Sequence, residues 1–359
     1  MMQTSRKPAV LVLLCLAVIF ITIHREPSRL LLLNDQDDSI LVAPPENGVS
    51  SKFPALSKPI IKNFTVADTV IGTAFSKNHF AEALRSCISM KKHPSMTNLI
   101  NNGTIKVIAY NMGGLGETEL SLYKKHCPFV EVRALDFSTY PPFVSDLMQY
   151  RWKPLIIAKL MEVRPVVFYL DTSVVFMNSS NDSFEKVVTS MNQKYSKCGI
   201  RTLGVTYHSI VAATHPGIYQ YFKNDTMNHV KSTRMVAATT YLAVRNPAGI
   251  KTMKKIVDCA LTKECMAPTG SSVLCNYARL NVAKYADCHR YDQSALALAL
   301  LDCSHSQNDY AGNTDLIDMQ RRSAVVKFWK NYKGNDKGGE YKFYLGEIKE
   351  FYLDKHQDE

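Results

Sequence analysis

The chain has 359 residues and a formal charge of +11 that is spread along its length and gathered in no single stripe. That distribution points away from nucleic acid and toward anionic ligands or membrane headgroups, with an ordinary solvated surface as the default. The absence of GxxxxGK[ST], HExxH and GxSxG patterns argues against P-loop, zincin and serine-hydrolase chemistry.

Residues 1–8 carry Arg6 and Lys7, and the apolar run AVLVLLCLAVIFITI follows from Ala9 to Ile23. No small-x-small cleavage site comes after it, so residues 9–24 read as an uncleaved signal anchor in preference to a cleaved signal peptide. The positive-inside rule keeps residues 1–8 cytoplasmic, against the weight of Arg25 and Arg29 on the other flank. The expected product is a single-pass type II protein of the Golgi or endoplasmic reticulum membrane, with everything after the anchor luminal. Residues 25–62 hold Pro44, Pro45, Pro54 and Pro59 with no helical or strand period, as a flexible stem does. Residues 63–359 are then one large luminal α/β domain without internal repeats.

Asn-x-Ser/Thr triplets at Asn63, Asn102, Asn178, Asn181 and Asn224 permit a luminal location. Cys15 falls in the anchor, and the other eight cysteines form an even set suited to disulfides, with 105 possible connectivities. Their clustering from Cys259 to Cys303 predicts local staples in the second half.

Strand-like and helix-like stretches alternate through this domain. Strands are predicted at Thr69–Phe75, Ile105–Tyr110, Val130–Leu135, Val166–Leu170, Leu203–Tyr207 and Thr239–Arg245. Helices are predicted at His79–Met90, Glu117–Lys125, Trp152–Glu162, Pro216–Phe222, Ala248–Leu261 and Asp292–Leu301. The alternation defines a doubly wound, mostly parallel sheet flanked by helices. NMGGLGETEL, from Asn111, lacks GxGxxG spacing and reads as a tight turn whose Glu117 and Thr118 start the next helix. KGNDKGG, Lys333 to Gly339, reads as an exposed turn.

VVFYLDTSVVF, Val166 to Phe176, is the most informative stretch: an apolar strand buried on both faces that ends on Asp171. Open α/β sheets bind ligands beyond the carboxyl ends of their strands, so Asp171 either faces that crevice or makes a turn with Thr172. Asp292 opens an apolar helix, where its simplest role is an N-terminal cap.

VIAYNMGGLG, RWKPLIIA, LDTS and RYDQSA, in this order, resemble a nematode-expanded domain of unknown function that is itself similar to GT-A-fold glycosyltransferases. The resemblance covers Asp68 to Phe328 and implies a GT-A-like, Rossmann-related sheet. In that family the place of LDTS holds an Asp-x-Asp motif, whose carboxylates grip Mn or Mg on the diphosphate of a nucleotide sugar. Here Asp171 is kept and Ser173 replaces the second carboxylate. A late ligand of the family, often His, aligns loosely with Lys327, which stands either as an exposed residue beside Trp329 or as a cation that replaces the metal on the diphosphate.

The resemblance also implies that Asp292 and Gln293 face the crevice, with Asp292 as sugar ligand or catalytic base. His289 and Arg290 are read as phosphate contacts or as caps of a loop secured by Cys288. Lys153 is expected to approach the nucleotide, Trp152 to anchor its helix, and Asn111 to contact base or ribose. The expected function is transfer of a sugar from a nucleotide-sugar donor to a glycan or glycoprotein acceptor. The alternatives are a catalytically inactive, glycan-binding relative and a structural ectodomain.

Overall fold

Seven consecutive apolar or small residues, Thr69–Phe75, form the first strand (β1), and every one of them is buried. The computed structural model describes residues 62–178, 181–280 and 283–320. The signal anchor, all of the stem but Lys62, Lys327 and the Lys333 turn lie outside the described residues. Among the described residues no helix is long and apolar enough to cross a membrane.

The remaining strands are β2 (Lys106–Asn111), β3 (Val130–Ala134), β4 (Val166–Leu170), β5 (Val174–Phe176), β6 (Ile200–Thr202), β7 (Val205–Ser209), β8 (Arg234–Val236), β9 (Thr240–Val244) and β10 (Ile317–Met319). The larger helices are α1 (Phe80–Lys92), α2 (Pro94–Asn101), α3 (Glu117–His126), α4 (Trp152–Val163), α5 (Phe184–Thr189), α6 (Pro247–Leu261) and, after two short helices, α7 (Lys263–Met266) and α8 (Tyr277–Leu280), the apolar α9 (Tyr291–Cys303).

Six strands make the central sheet in the order β3-β2-β1-β4-β9-β6. The first four are mutually parallel, whereas β9 runs antiparallel to β4, and β6 antiparallel to β9. The mostly parallel α/β architecture expected from the sequence is therefore present, with two reversed strands at one side. Side chains of β4 alternate between two cores: Val167 and Tyr169 pack with α4, α6 and α9, and Val166, Phe168 and Leu170 pack with α2 and α5. A third cluster seats α1 and α3 on Phe75 and Ala109.

Gly72 in β1 lets α4 approach closely, because a Cβ there would lie 2.2 Å from Leu160 Cδ1. Helix ends are closed by buried arginines. Arg151 donates to the carbonyls of Ala260, Thr262 and Lys263 at the end of α6, and Arg245 donates to Met161 O near the end of α4.

Some sequence expectations are corrected. Pro216–Phe222 is a 3-10 turn over Pro216–Tyr221, because Pro216 and Gly217 at its start favour a tight turn over a sustained helix. The strand expected at Leu203–Tyr207 occupies Val205–Ser209 and pairs with β8 in a separate ribbon. Four disulfides form: Cys87–Cys127, Cys198–Cys303, Cys259–Cys265 and Cys275–Cys288. Two are the local staples expected, but Cys303 instead reaches back 105 residues to Cys198.

Candidate functional site

The carboxyl ends of β1, β2 and β4 open on one edge of the sheet, and Asp171 follows β4 there. Its backbone N–H extends the ladder to Thr239 O at 2.8 Å, and its own carbonyl accepts from Val174 N at 3.0 Å. Of the two roles its sequence allowed, the turn is present, and the Asp171 carboxylate is 26% exposed at the carboxyl end of β4.

Lys153 is the second residue of α4. A cation opposes the helix dipole at that end, so the position is unfavourable unless carboxylates offset it. Two do. The Lys153 ammonium lies 3.1 Å from Asp171 Oδ1 and 2.8 Å from Asp292 Oδ2, and donates more weakly to Ala238 O at 3.4 Å. Its side chain is 5% exposed, against 26% for Asp171 and 11% for Asp292, so of the three Asp171 is the most accessible. The rings of Tyr150, Trp152 and Tyr169 lie within 6 Å of the ammonium and complete an aromatic cage. Tyr169 also donates its hydroxyl to Asp171 Oδ1 at 3.1 Å.

Burial pulls the Lys153 ammonium down in pKa, but Asp171 and Asp292 outweigh it and hold the group above the ordinary lysine value. Burial pushes the Asp292 carboxyl above the usual range, partly countered by Lys153. The Tyr169 and Tyr241 hydroxyls are raised by burial and stay protonated.

The two helices that carry these groups both begin from strained backbone. Tyr150, two residues before α4, has φ +54°, and Tyr291, the first residue of α9, has φ +36°. Neither is glycine or asparagine, so each conformation costs about 1–3 kcal/mol and persists because packing imposes it. Their rings lie 6.5 Å apart and brace the two starts against each other.

The other expected residues are distributed around this centre. Gln293 uses its side-chain amide on Val236 O at 2.7 Å, which fixes the β8–β9 connection beside the site. Arg290 is half-buried, its charge is felt at Tyr150 and His208, and its guanidinium has no ion-pair partner among the described residues. His289 is buried and fully committed: Nδ1 accepts from His215 N and Nε2 donates to Met266 O, while burial lowers its pKa to about 4. Of its two expected roles the structure gives it the loop cap and not the phosphate contact.

Ser173 is half-buried and its carbonyl accepts from Gln320 N, where the chain leaves β10. Asn111 closes the glycine-rich turn through Gly113 N at 2.8 Å. It shares the sheet edge with Asp171 but lies two strands away, about 10 Å at usual strand spacing. Asn63, Asn102, Asn178, Asn181 and Asn224 are all exposed.

Four contributors were not evident from sequence. Tyr169 and Tyr150 flank the Lys153 ammonium, and Glu82, which bonds His79 at 2.6 Å and accepts from Thr172 at 3.4 Å, ties the start of α1 to the Asp171 turn. His208, with Nδ1 donating to Ser209 O, keeps Nε2 available as an acceptor near Arg290.

Among the described residues, the donor set at Asp171 does not suit Mn or Mg. Hard divalent cations need several convergent oxygens, yet both Asp171 oxygens are already engaged by Lys153 and Tyr169, and the neighbouring carboxylate, Asp292, faces the same ammonium.

The geometry defines an α/β protein with a charged, lysine-centred cluster at the carboxyl edge of a mostly parallel sheet. The family described as "Protein of unknown function (DUF1647)" matches residues 49–158, a span that includes β1 to β3 and Lys153 but neither aspartate. No match to the chain is found among curated proteins. Several solved structures are similar in part. The galactosyltransferase LgtC in complex with donor and acceptor sugar analogues is 11% identical, over 77% of this chain and 95% of that one, with a TM-score of 0.36. Mouse xyloside xylosyltransferase 1 is 8% identical, over 68% and 84%, with a TM-score of 0.38. Core-mannan synthase A of Aspergillus fumigatus, in its Mn/GDP form, is 7% identical, over 68% and 76%, with a TM-score of 0.39.

Proposed function

We propose that this chain is a type II glycosyltransferase of the secretory pathway that moves a sugar from a nucleotide-sugar donor to a glycan or glycoprotein acceptor without a divalent metal. The reading rests on one observation: Lys153 joins Asp171 and Asp292 at the carboxyl edge of the sheet. LDTS and RYDQSA, two of the segments that carry the sequence resemblance, thereby meet through a third, RWKPLIIA.

Asp171, the most accessible of the three groups, accepts hydrogen bonds from donor-sugar hydroxyls. The guanidinium of Arg290, which has no ion-pair partner among the described residues, receives the diphosphate, where a planar, permanently charged group binds phosphate oxygens bidentately. Asp292 takes the proton of the acceptor hydroxyl as the new glycosidic bond forms and the nucleoside diphosphate leaves, the course of an inverting transfer. Its raised pKa suits that task better than an ordinary carboxylate's would. Lys153 keeps both carboxylates oriented.

The test is donor binding and turnover across a panel of nucleotide sugars, with EDTA and with Mn, for the wild type, Asp171→Asn and Asp292→Asn. The expected result is saturable binding of one donor that Asp171→Asn weakens, metal-free turnover, and a loss of about 10²–10⁴ in rate for Asp292→Asn. Turnover that appears only with Mn overturns the metal-free mechanism.

A second reading is favoured by the mutual satisfaction of Lys153 and the two carboxylates, which would equally hold a recognition crevice without chemistry. Under it, a donor or glycan binds without turnover in any metal condition.

A further inference from the structure

At the far end of α9 a second group of ligand-type side chains converges. Asp225, His229 and His305 each offer one atom, and the three atoms lie within 4.8 Å of one another. His305 Nε2 is 3.2 Å from Asp225 Oδ2, and the two imidazoles are stacked with centroids 4.0 Å apart at 22°. Asp225 lies in a 3-10 turn, Asn224–Asn228, His229 is the residue that caps its end, and His305 comes from the segment after α9.

These two segments are fastened together beneath the cluster. Asp302, whose side chain is almost wholly buried, accepts from Thr226 Oγ1 and pairs with Lys255. Cys303 is covalently bound to Cys198, and Ser304 N continues the helix by donating to Leu300 O at 2.9 Å. His229 itself is fixed by its backbone, donating to Thr226 O and accepting from Thr233 N. The ligand atoms therefore hang on two anchored backbones, and the exposed side chains of Asp225 and His305 and the half-buried one of His229 are left to adjust.

We propose that Asp225, His229 and His305 form a binding site for a single Zn²⁺ ion. Two imidazoles and one carboxylate match the ligand preference of zinc, and three protein ligands leave one tetrahedral position for water. With Zn–N distances of about 2.0–2.1 Å the ligand atoms would stand about 3.3 Å apart, so side-chain rotation of about 1–2 Å closes the site. The site is separate from the crevice: α9 carries Asp292 at its start and leads to His305 after its end, about 18 Å away along the helix.

The experiment uses the full chain, purified in detergent without a polyhistidine tag and stripped with EDTA. It is titrated with Zn²⁺ by calorimetry and with Co²⁺ by visible absorption. The expected result is one equivalent of metal, tetrahedral Co²⁺ bands that Zn²⁺ removes, and a raised melting temperature. His305→Ala and Asp225→Asn should each weaken binding by roughly tenfold or more. Both positions are exposed, so the variants fold, and Asp225→Asn keeps the Asn224 glycosylation triplet. Asp171→Asn should leave metal binding unchanged. Failure of the wild type to bind either ion, full-strength binding by His305→Ala, or loss of binding in Asp171→Asn would each overturn the proposal.

Discussion

Replacing Lys153 by Met tests the centre of the structure most directly. Methionine fills much of the lysine's volume and keeps its helix propensity, so the change removes the ammonium and little else. Asp171 and Asp292 are then left facing each other with no cation between them, and Asp292 is nearly buried. Breaking a buried ion pair from one side costs about 3–5 kcal/mol. For a domain of this size each kcal/mol corresponds to about 2–4 °C, so the melting temperature should fall by roughly 10 °C at neutral pH. The sign of the pH dependence follows from Asp292, whose folded-state pKa is already raised. Without Lys153 it rises further, so the folded state holds a proton that the unfolded state releases. Stability is then lost as pH increases from about 4 through the folded-state pKa, and the gap to wild type narrows on acidification. Adding Asp292→Asn to Lys153→Met should recover part of the loss. The assay is scanning calorimetry of the three proteins at acidic and neutral pH. A melting temperature for Lys153→Met within about 2 °C of wild type at neutral pH would refute the buried-pair reasoning.

Gly72→Ala should destabilise the protein by about 1–3 kcal/mol in chemical denaturation, because the added methyl meets Leu160 in a core with no free volume; Leu160→Ala in the same background should relieve the overlap. His289, whose pKa falls from 6.5 to about 4, is neutral in the folded state and charges readily only after unfolding. Stability should therefore decline as pH falls from about 6.5 to 4, by at most about 3 kcal/mol from this residue. Denaturation of His289→Gln across that range should show a flatter profile, and an unaltered slope would assign the acid sensitivity to other groups.

The elements legible in the sequence were those whose chemistry is local. β1 and β4 are uninterrupted apolar runs bounded by turns, and both were placed to the residue. The three-residue strands β6, β8 and β10 were not visible, since IRT, RMV and IDM carry no period and become strands only where a partner edge is available. The reversed direction of β9 was equally hidden, because an apolar five-residue run reads the same in either sense.

At the site, Asp171, Lys153 and Asp292 were each singled out. Their meeting was not, because 18 residues separate the first two and 121 the outer pair of aspartates in sequence. Lys153 was expected to approach the nucleotide, and its two carboxylate partners were not foreseen. One signal was available: a lysine in the first turn of an apolar helix contradicts the dipole, and such local contradictions mark places where tertiary contacts take over.

The tether of Lys153 gives the crevice a property that no dissociable ion shares. Four methylenes bind the positive charge to the backbone of α4, so dialysis does not dilute it, a chelator does not extract it, and a departing anion cannot carry it away. Its occupancy is one whenever α4 is folded against β1. The charge balance of the crevice is consequently inherited from the packing of a helix, and the ionic composition of the surrounding compartment has no hold on it.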